Sequence, residues 1–345
     1  MSLKQKSNLQ DFIFKGNARE WFGIWIVNLL LSIVTIGIYS AWAKVRTQKY
    51  FYGNTFVAGR SFDYHATGGQ ILKGRLVVIA AIVFFQIILS LLPIVGLILA
   101  LGLLLLFPWL ITRAMVFNAR VSSFSNVRFD FVGTYGRAML VYLLYPILSA
   151  LTLYTTYPIL DRTLKRFTIS NLRFGTAEFK LDAPLGAFYK AAALAFLWVI
   201  VVAVAASLTV GNAMFLSLEN NPMAIMMTFY AVLFFGFIPA GFIYQALTRN
   251  VIYNSTTLSD GHALRSNVSA IQLLWIALSN MLVVVLTLGL MLPWAQVRRA
   301  RYLADHTSIE LVGSLDDFIG TEKEKATALG DAYSDIEGID VGLPI

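Results

Sequence analysis

A chain of 345 residues that is 58% apolar and 13% charged, with a mean hydropathy of +0.70, lacks the polar surface of a water-soluble globule and belongs in a membrane. It has no cysteine, which excludes disulfides, thiolate catalysis and cysteine metal sites. The formal charge is +8, and eight of the 19 acidic residues lie from Asp316 onward, so a strongly basic body precedes an acidic tail.

Residues 1–19 are a polar lead-in without the form of a cleavable signal peptide. In it Phe12 and Phe14 alternate as on an interfacial strand or an amphipathic turn. Segment 20–42 is the first apolar element, with Trp21 and Trp25 at its start and Trp42 at its end, the aromatic-belt pattern of a helix at headgroup depth. Lys44, Arg46 and Lys49 follow on an interfacial turn of helix. Residues 50–64 then read as a β-hairpin turning at Ala58-Gly59.

Four further stretches repeat this order of apolar helix, interfacial arginine and short hairpin. They follow Arg113, Arg162, Arg249 and Arg298, and Gly175, Gly261 and Gly313 supply turn residues. The runs 76–92, 95–111, 191–210 and 224–246 approach or exceed the ~20 residues that cross a bilayer core. Segments 136–158 and 269–293 match segment 20–42 in being interrupted, with Asn28, Tyr145-Pro146 and Ser279-Asn280 near the three centres. Each of these three segments either spans or enters and returns. Re-entry places nearly all basic residues on one side, as the positive-inside bias asks.

The repeat is explicit in the residues. At a constant offset of 252, Asn28, Thr35, Gly37, Trp42, Arg46 and Tyr50 return as Asn280, Thr287, Gly289, Trp294, Arg298 and Tyr302. Arg113 to Arg249 and Arg162 to Arg298 are both separated by 136 residues, which divides the chain into an extra partial repeat at 20–73, repeat 1 at 74–183 and repeat 2 at 184–315. Residues 316–345 form the acidic tail, read as cytoplasmic, with an amphipathic helix over 316–335 that docks on the basic hairpin layer or stays partly disordered. The expected fold is thus a polytopic α-helical membrane protein with internal repeats: four firm transmembrane helices, three interrupted segments, and short β-hairpins after five of the helices.

The chain resembles the YjgN family of bacterial inner-membrane proteins, which share a domain of unknown function. The resemblance rests on FIFKGNAREWFGIWIVNLLLSIVTIGIYSAWAKVRTQKYFYGNT at 12–55, ISNLRFGTAEF at 169–179, LPWAQVRRARYL at 292–303 and the IDVG of the tail. It implies a multi-pass protein of the inner membrane and supplies no catalytic residues.

Little in the sequence points to an enzyme. There is no GxSxG elbow, no P-loop and no HExxH, and His65, His262 and His306 fall in hairpins or loops, so neither a metal nor a cofactor is read. The sharper candidates are Arg46, Arg113, Arg162, Arg249 and Arg298, placed to hold anionic lipid headgroups or other anions bidentately. The plainer role for each is to anchor a helix end beside Trp42, Trp109 and Trp294. Asn28, Thr35, Asn280 and Thr287 are candidates for a polar cavity near the midplane, or simply for interhelical hydrogen bonds. The functional reading is an inner-membrane protein that transports or binds a lipid or small amphiphile at the repeat interface. The alternative is a non-catalytic scaffold that recruits a partner through its cytoplasmic hairpins and acidic tail; besides lipids, a protein partner or a homo-oligomer is open. The bases are not gathered into one stripe, so membrane lipids are the expected partner and nucleic acid is not.

Overall fold

The computed structural model describes residues 7–217 and 222–325. The rest of the acidic tail, including IDVGLPI, and part of the 211–222 loop lie outside the described residues. The chain alternates helical hairpins with β-hairpins. Helices α1 (Ala18–Val34) and α2 (Ser40–Gly53) form the first pair, and α3 (Gly68–Leu91) and α4 (Pro93–Arg120) the second. They are followed by α5 (Tyr135–Leu151) with α6 (Tyr157–Ser170), and by α7 (Leu185–Ser217) with α8 (222–254). The last pair is α9 (Ala270–Leu286) with α10 (Leu292–Asp305), and a short helix α11 covers 315–325.

Ten short strands separate the pairs: β1 (Ser7–Phe14), β2 (Thr55–Val57), β3 (Arg60–Tyr64), β4 (Ser122–Phe124), β5 (Val127–Phe131), β6 (Leu172–Phe174), β7 (Ala177–Leu181), β8 (Thr256–Leu258), β9 (His262–Ser266) and β10 (Thr307–Val312). These strands close into one antiparallel barrel in the order β1-β10-β9-β8-β7-β6-β5-β4-β3-β2. This overturns the expectation of a polytopic helical protein with only short, separate hairpins. A three-residue strand paired with a five-residue strand is marginal alone and exposes two edges. The stretch after Arg298, expected as a fifth hairpin turning at Gly313, is instead the single strand β10, and no strand follows it among the described residues. Ring closure through β1 and β10 pairs both edges of the four local hairpins, so the ten strands become one cooperative unit.

The closing strand comes from the opposite end of the chain. The first half of β1 pairs with β10, from Ser7↔Val312 to Asp11↔Ser308, and its second half pairs with β2, from Phe12↔Val57 to Phe14↔Thr55. The polar lead-in is therefore the seam of the barrel. Period-two alternation sends Phe12 and Phe14 inward, while Leu9 and Ile13 stay exposed. Two of the hairpins turn through consecutive left-handed residues, Ala58-Gly59 and Ser125-Asn126, which is the backbone twist that two-residue loops favour.

Among the described residues four helical stretches are long and apolar enough to cross a membrane: Gly68–Leu91, Pro93–Arg120, Leu185–Leu208 and Val232–Asn254. Their side chains are largely exposed, as suits an apolar solvent. Pro93 starts α4 at a position where its missing N–H costs nothing. A Cβ on Gly96 would lie 2.6 Å from Leu89 Cα, so this tight reversal requires glycine.

The other three pairs reverse through matching pentapeptides, Thr35–Tyr39, Thr152–Thr156 and Thr287–Met291. In each, the threonine hydroxyl donates to the carbonyl four residues back, at 2.7, 3.0 and 2.7 Å. The next two residues are left-handed: Ile36 and Gly37, Leu153 and Tyr154, Leu288 and Gly289. The tip residues Ile36, Leu153 and Leu288 are 94%, 86% and 94% exposed. The breaks thus fall at these turns, not at the polar centres of the segments. Helix α1 runs through Asn28 and α9 through Ser279-Asn280, while a π-helical stretch at Leu140–Leu144 lets α5 carry Pro146 without breaking.

Candidate functional site

Alternation along the strands lines the barrel with aromatic rings. Phe62 and Phe124 lie 4.8 Å apart between centroids, Phe129 and Phe174 5.3 Å, and Phe124 and Phe174 6.2 Å. They do not fill the interior. A lumen of about 360 Å³ remains, within the range of small-molecule sites. Beside it lies a second cavity of about 570 Å³ between the barrel-side ends of α2, α4 and α6, walled in part by Tyr52, Met115 and Ile169. Phe12, Thr55, Phe62 and Phe129 belong to both walls.

The helix-side end of the lumen carries a charge. Arg249, near the end of α8, donates from Nη2 to Thr307 Oγ1 at 2.9 Å and lies 4.1 Å over the ring of Tyr253. Its Nε is buried without a hydrogen-bond partner.

The opposite end is closed by α11. Phe318 stacks on Phe174 at 5.9 Å and meets His262 edge-on at 4.5 Å, and with Ile319 it completes a core reached by Val57, Phe124, Val127, Ala177 and Leu258. Glu322 is 2% exposed. Its Oε2 accepts from Thr176 N at 2.7 Å, Thr176 Oγ1 at 2.7 Å and Ala177 N at 2.9 Å, and its Oε1 accepts from Lys325 Nζ at 3.0 Å. Burial alone would raise the pKa of this carboxyl. The hydrogen bonds from Thr176 and Lys325 outweigh it and hold the group below its ordinary value. Asp316 also pairs with Arg60 on β3.

The five candidate arginines are not gathered in one ring. Arg46 Nη1 donates to Tyr39 Oη at 3.0 Å and to Asn28 Oδ1 at 3.4 Å, and Arg298 Nη1 donates to Ser279 Oγ at 2.6 Å and Asn280 Oδ1 at 3.0 Å. Two sets of residues proposed separately from the sequence thus meet, arginine on asparagine, in the first and last helical hairpins. Asn280 Nδ2 also donates to Ala295 O at 3.1 Å and ties the two legs of that hairpin together. Arg162 Nε donates to Ala183 O at 2.7 Å, and Arg113 is exposed over Trp109 at 5.3 Å. Thr35 and Thr287 cap helices at the hairpin turns described above. Trp294 lies under Arg298 at 5.1 Å, and Trp42 stacks on Tyr39 and fills the space a Cβ on Gly68 would need.

The histidines have structural partners: His65 Nε2 meets Ser123 Oγ at 2.7 Å, His262 Nδ1 accepts from Val312 N at 3.1 Å, and His306 Nδ1 lies 2.9 Å from Tyr302 O. Among the described residues no three His, Asp or Glu side chains gather as metal ligands. Sequence reasoning did not single out the phenylalanine lining or Glu322. The alternation in RSFDY, VRFDF and AEFKL was the available signal for the lining, while Glu322 resembles any other acid of the tail.

Residues 10–336 match the model of a family described as a bacterial protein of unknown function, DUF898. The chain belongs to this family. Family relatives include the inner membrane protein YjgN of Escherichia coli O157:H7, 25% identical over 97% of this chain and 96% of the relative. The protein of the same name from Salmonella typhimurium is 25% identical over 94% of each chain. That of Escherichia coli K12 is 32% identical over 45% of this chain and 39% of the relative. No solved structure matches the chain.

Proposed function

We propose that this DUF898 protein sits in the bacterial inner membrane and takes a lipid or single-chain amphiphile from the bilayer into the lumen of its barrel. The observation that carries this reading is the aromatic lumen adjoining a second cavity between helix ends, with Phe12, Phe62 and Phe129 as their common wall. A turn of these rings would join the two spaces, and an apolar chain leaving the helices would then reach the barrel through the shared wall. In this arrangement the four long helices cross the membrane, and the pairs at 18–53, 135–170 and 270–305 enter it and return. Barrel closure supports re-entry, because every helical pair has to bring the chain back to one ring of strands. The exposed Ile36, Leu153 and Leu288 tips suit an apolar medium. A scaffold with free hairpin edges and a free tail has less support, since the edges are paired and residues 315–325 dock on the chain's own barrel.

A photo-crosslinking residue at Phe129 is expected to capture lipid in intact membranes, whereas the same group at Lys180, exposed on β7, is not. Equal capture at both positions would sink the lumen reading. Topology has its own test. Single cysteines at Ser61, Asn126, Glu178 and Ser259, one on each β-hairpin, and at Ser308 on β10 are expected to share one behaviour, with none labelled from outside the cell. Labelling at Glu178 and Ser259 but not at the others would instead require that the interrupted segments span.

A further inference from the structure

The charge at the helix-side end of the lumen specifies the ligand further. Arg249 is the only arginine, lysine, aspartate or glutamate on the lumen wall among the described residues, where most of its neighbours are aromatic or aliphatic. The Arg249 side chain is half-buried, and one hydroxyl acceptor with one ring face supplies only part of the compensation that a guanidinium drawn partly out of water needs. None of the ion pairs among the described residues includes Arg249, and its buried Nε has no hydrogen-bond partner. A planar fork with an unused donor matches a carboxylate or a phosphate. Among the described residues no other arginine or lysine lines the lumen, so the matching headgroup carries one anionic site. Below it the lumen is lined by Phe129, Phe174 and Phe318, and its volume of about 360 Å³ is that of a small-ligand site rather than of a multi-chain lipid.

We propose that the lumen binds an anionic single-chain amphiphile, with its carboxylate or phosphate on Arg249 and its chain among the phenylalanines. This rests on the lumen reading above and adds the headgroup charge, the orientation and the residue that sets them. The head lies toward the helices and the chain points toward α11. The chemistry is that of a fatty acid or a monoalkyl phosphate.

Native mass spectrometry of the full chain in a nonionic detergent tests this with dodecanoate, dodecyl phosphate, dodecanol and acetate. The expected result is one bound dodecanoate or dodecyl phosphate, held at least about tenfold more tightly than dodecanol, with acetate not retained. Arg249→Gln should lower anion affinity at least about tenfold while leaving dodecanol binding unchanged, which also reports that the barrel is folded. Arg249→Lys should keep a preference for the anions. Equal binding of dodecanol and dodecanoate by the unaltered chain would overturn the proposal, as would an Arg249→Gln protein that still prefers the anion. Retention of acetate as tightly as dodecanoate would assign the site to free anions and overturn it as well. Ile309→Trp, which fills the lumen, separates the two readings: if it leaves amphiphile binding intact, the lumen itself is not the site.

Discussion

A single cysteine at Val57, beneath α11 in this cysteine-free chain, is expected to react with a small maleimide about a hundredfold faster once Glu322→Ala is added. The buried carboxylate answers two backbone N–H groups and a hydroxyl at the β6–β7 turn. Removing it leaves those donors inside the protein without an acceptor, at about 1–3 kcal/mol for each unsatisfied group. A total near 3 kcal/mol corresponds to the hundredfold change in the population of the undocked helix, and the labelling rate follows that population when docking is fast. Phe318→Ala should act in the same direction, because truncating a buried phenylalanine costs about 3–5 kcal/mol. Acidification should do the same without mutation. A carboxyl whose pKa is lowered by docking contributes its full stabilisation above its undocked value, ordinarily 4.5, and loses it as the pH falls through the docked value. Relative to an exposed cysteine labelled at the same pH, which corrects for the falling thiolate fraction, the otherwise unaltered Val57→Cys protein should therefore label faster only below about pH 4.5, and the Glu322→Ala background should lack that acid limb. Equal rates with and without Glu322 at neutral pH would mean that α11 does not close the lumen.

How much of this was legible in the sequence depends on the range of the interaction. Local signals were sufficient for the β-hairpins: Ala58-Gly59 and the alternation around Phe62 specify a turn and two strands from neighbours alone. Nothing local says that the outer edge of β3 seeks β4, or that β1 seeks β10 across nearly the whole chain, because alternation fixes which face a strand buries and not which strand it meets. Closure is therefore invisible locally although four hairpins are in view, and the stretch at 307–313, which reads as a fifth, is a strand whose second partner is β1. The three helical reversals illustrate the same limit. Thr35/Thr287 and Gly37/Gly289 stood out as shared positions, yet the break was expected at Asn28 and Asn280, since a polar side chain in an apolar run resembles an interruption. Each asparagine instead meets an arginine 18 residues later in the chain, Arg46 or Arg298, and a polar group answered in this way does not break a helix. Regular spacing makes the five arginines a set in the sequence. Spacing places them at equivalent helix ends, but the partner of each depends on which neighbour the ring of strands brings to it, and only Arg249 is brought to the lumen.

The largest loss of stability is expected from the seam. Deleting residues 1–14 removes the strand that joins β10 to β2, together with Phe12 and Phe14, and leaves two unpaired edges on a sheet whose strands are three to six residues long. Such edges pair with other chains, so the deletion should convert the protein from a monodisperse detergent complex to aggregate. Point substitutions on β1 separate this effect from mere shortening. Phe14 is buried and stacks on Phe51 at 5.5 Å, so Phe14→Ala should cost about 3–5 kcal/mol in thermal or denaturant unfolding. Ile13, its outward neighbour, is half exposed, and Ile13→Ala should stay within about 0.5 kcal/mol. That alternation belongs to a strand with one face in the barrel. If the five hairpins were separate units on separate helix ends, removing β1 would leave the protease resistance of β4 to β9 untouched. In a closed ring the same deletion should expose the β4–β5 and β6–β7 turns to cleavage, although both lie on the chain more than a hundred residues from the cut.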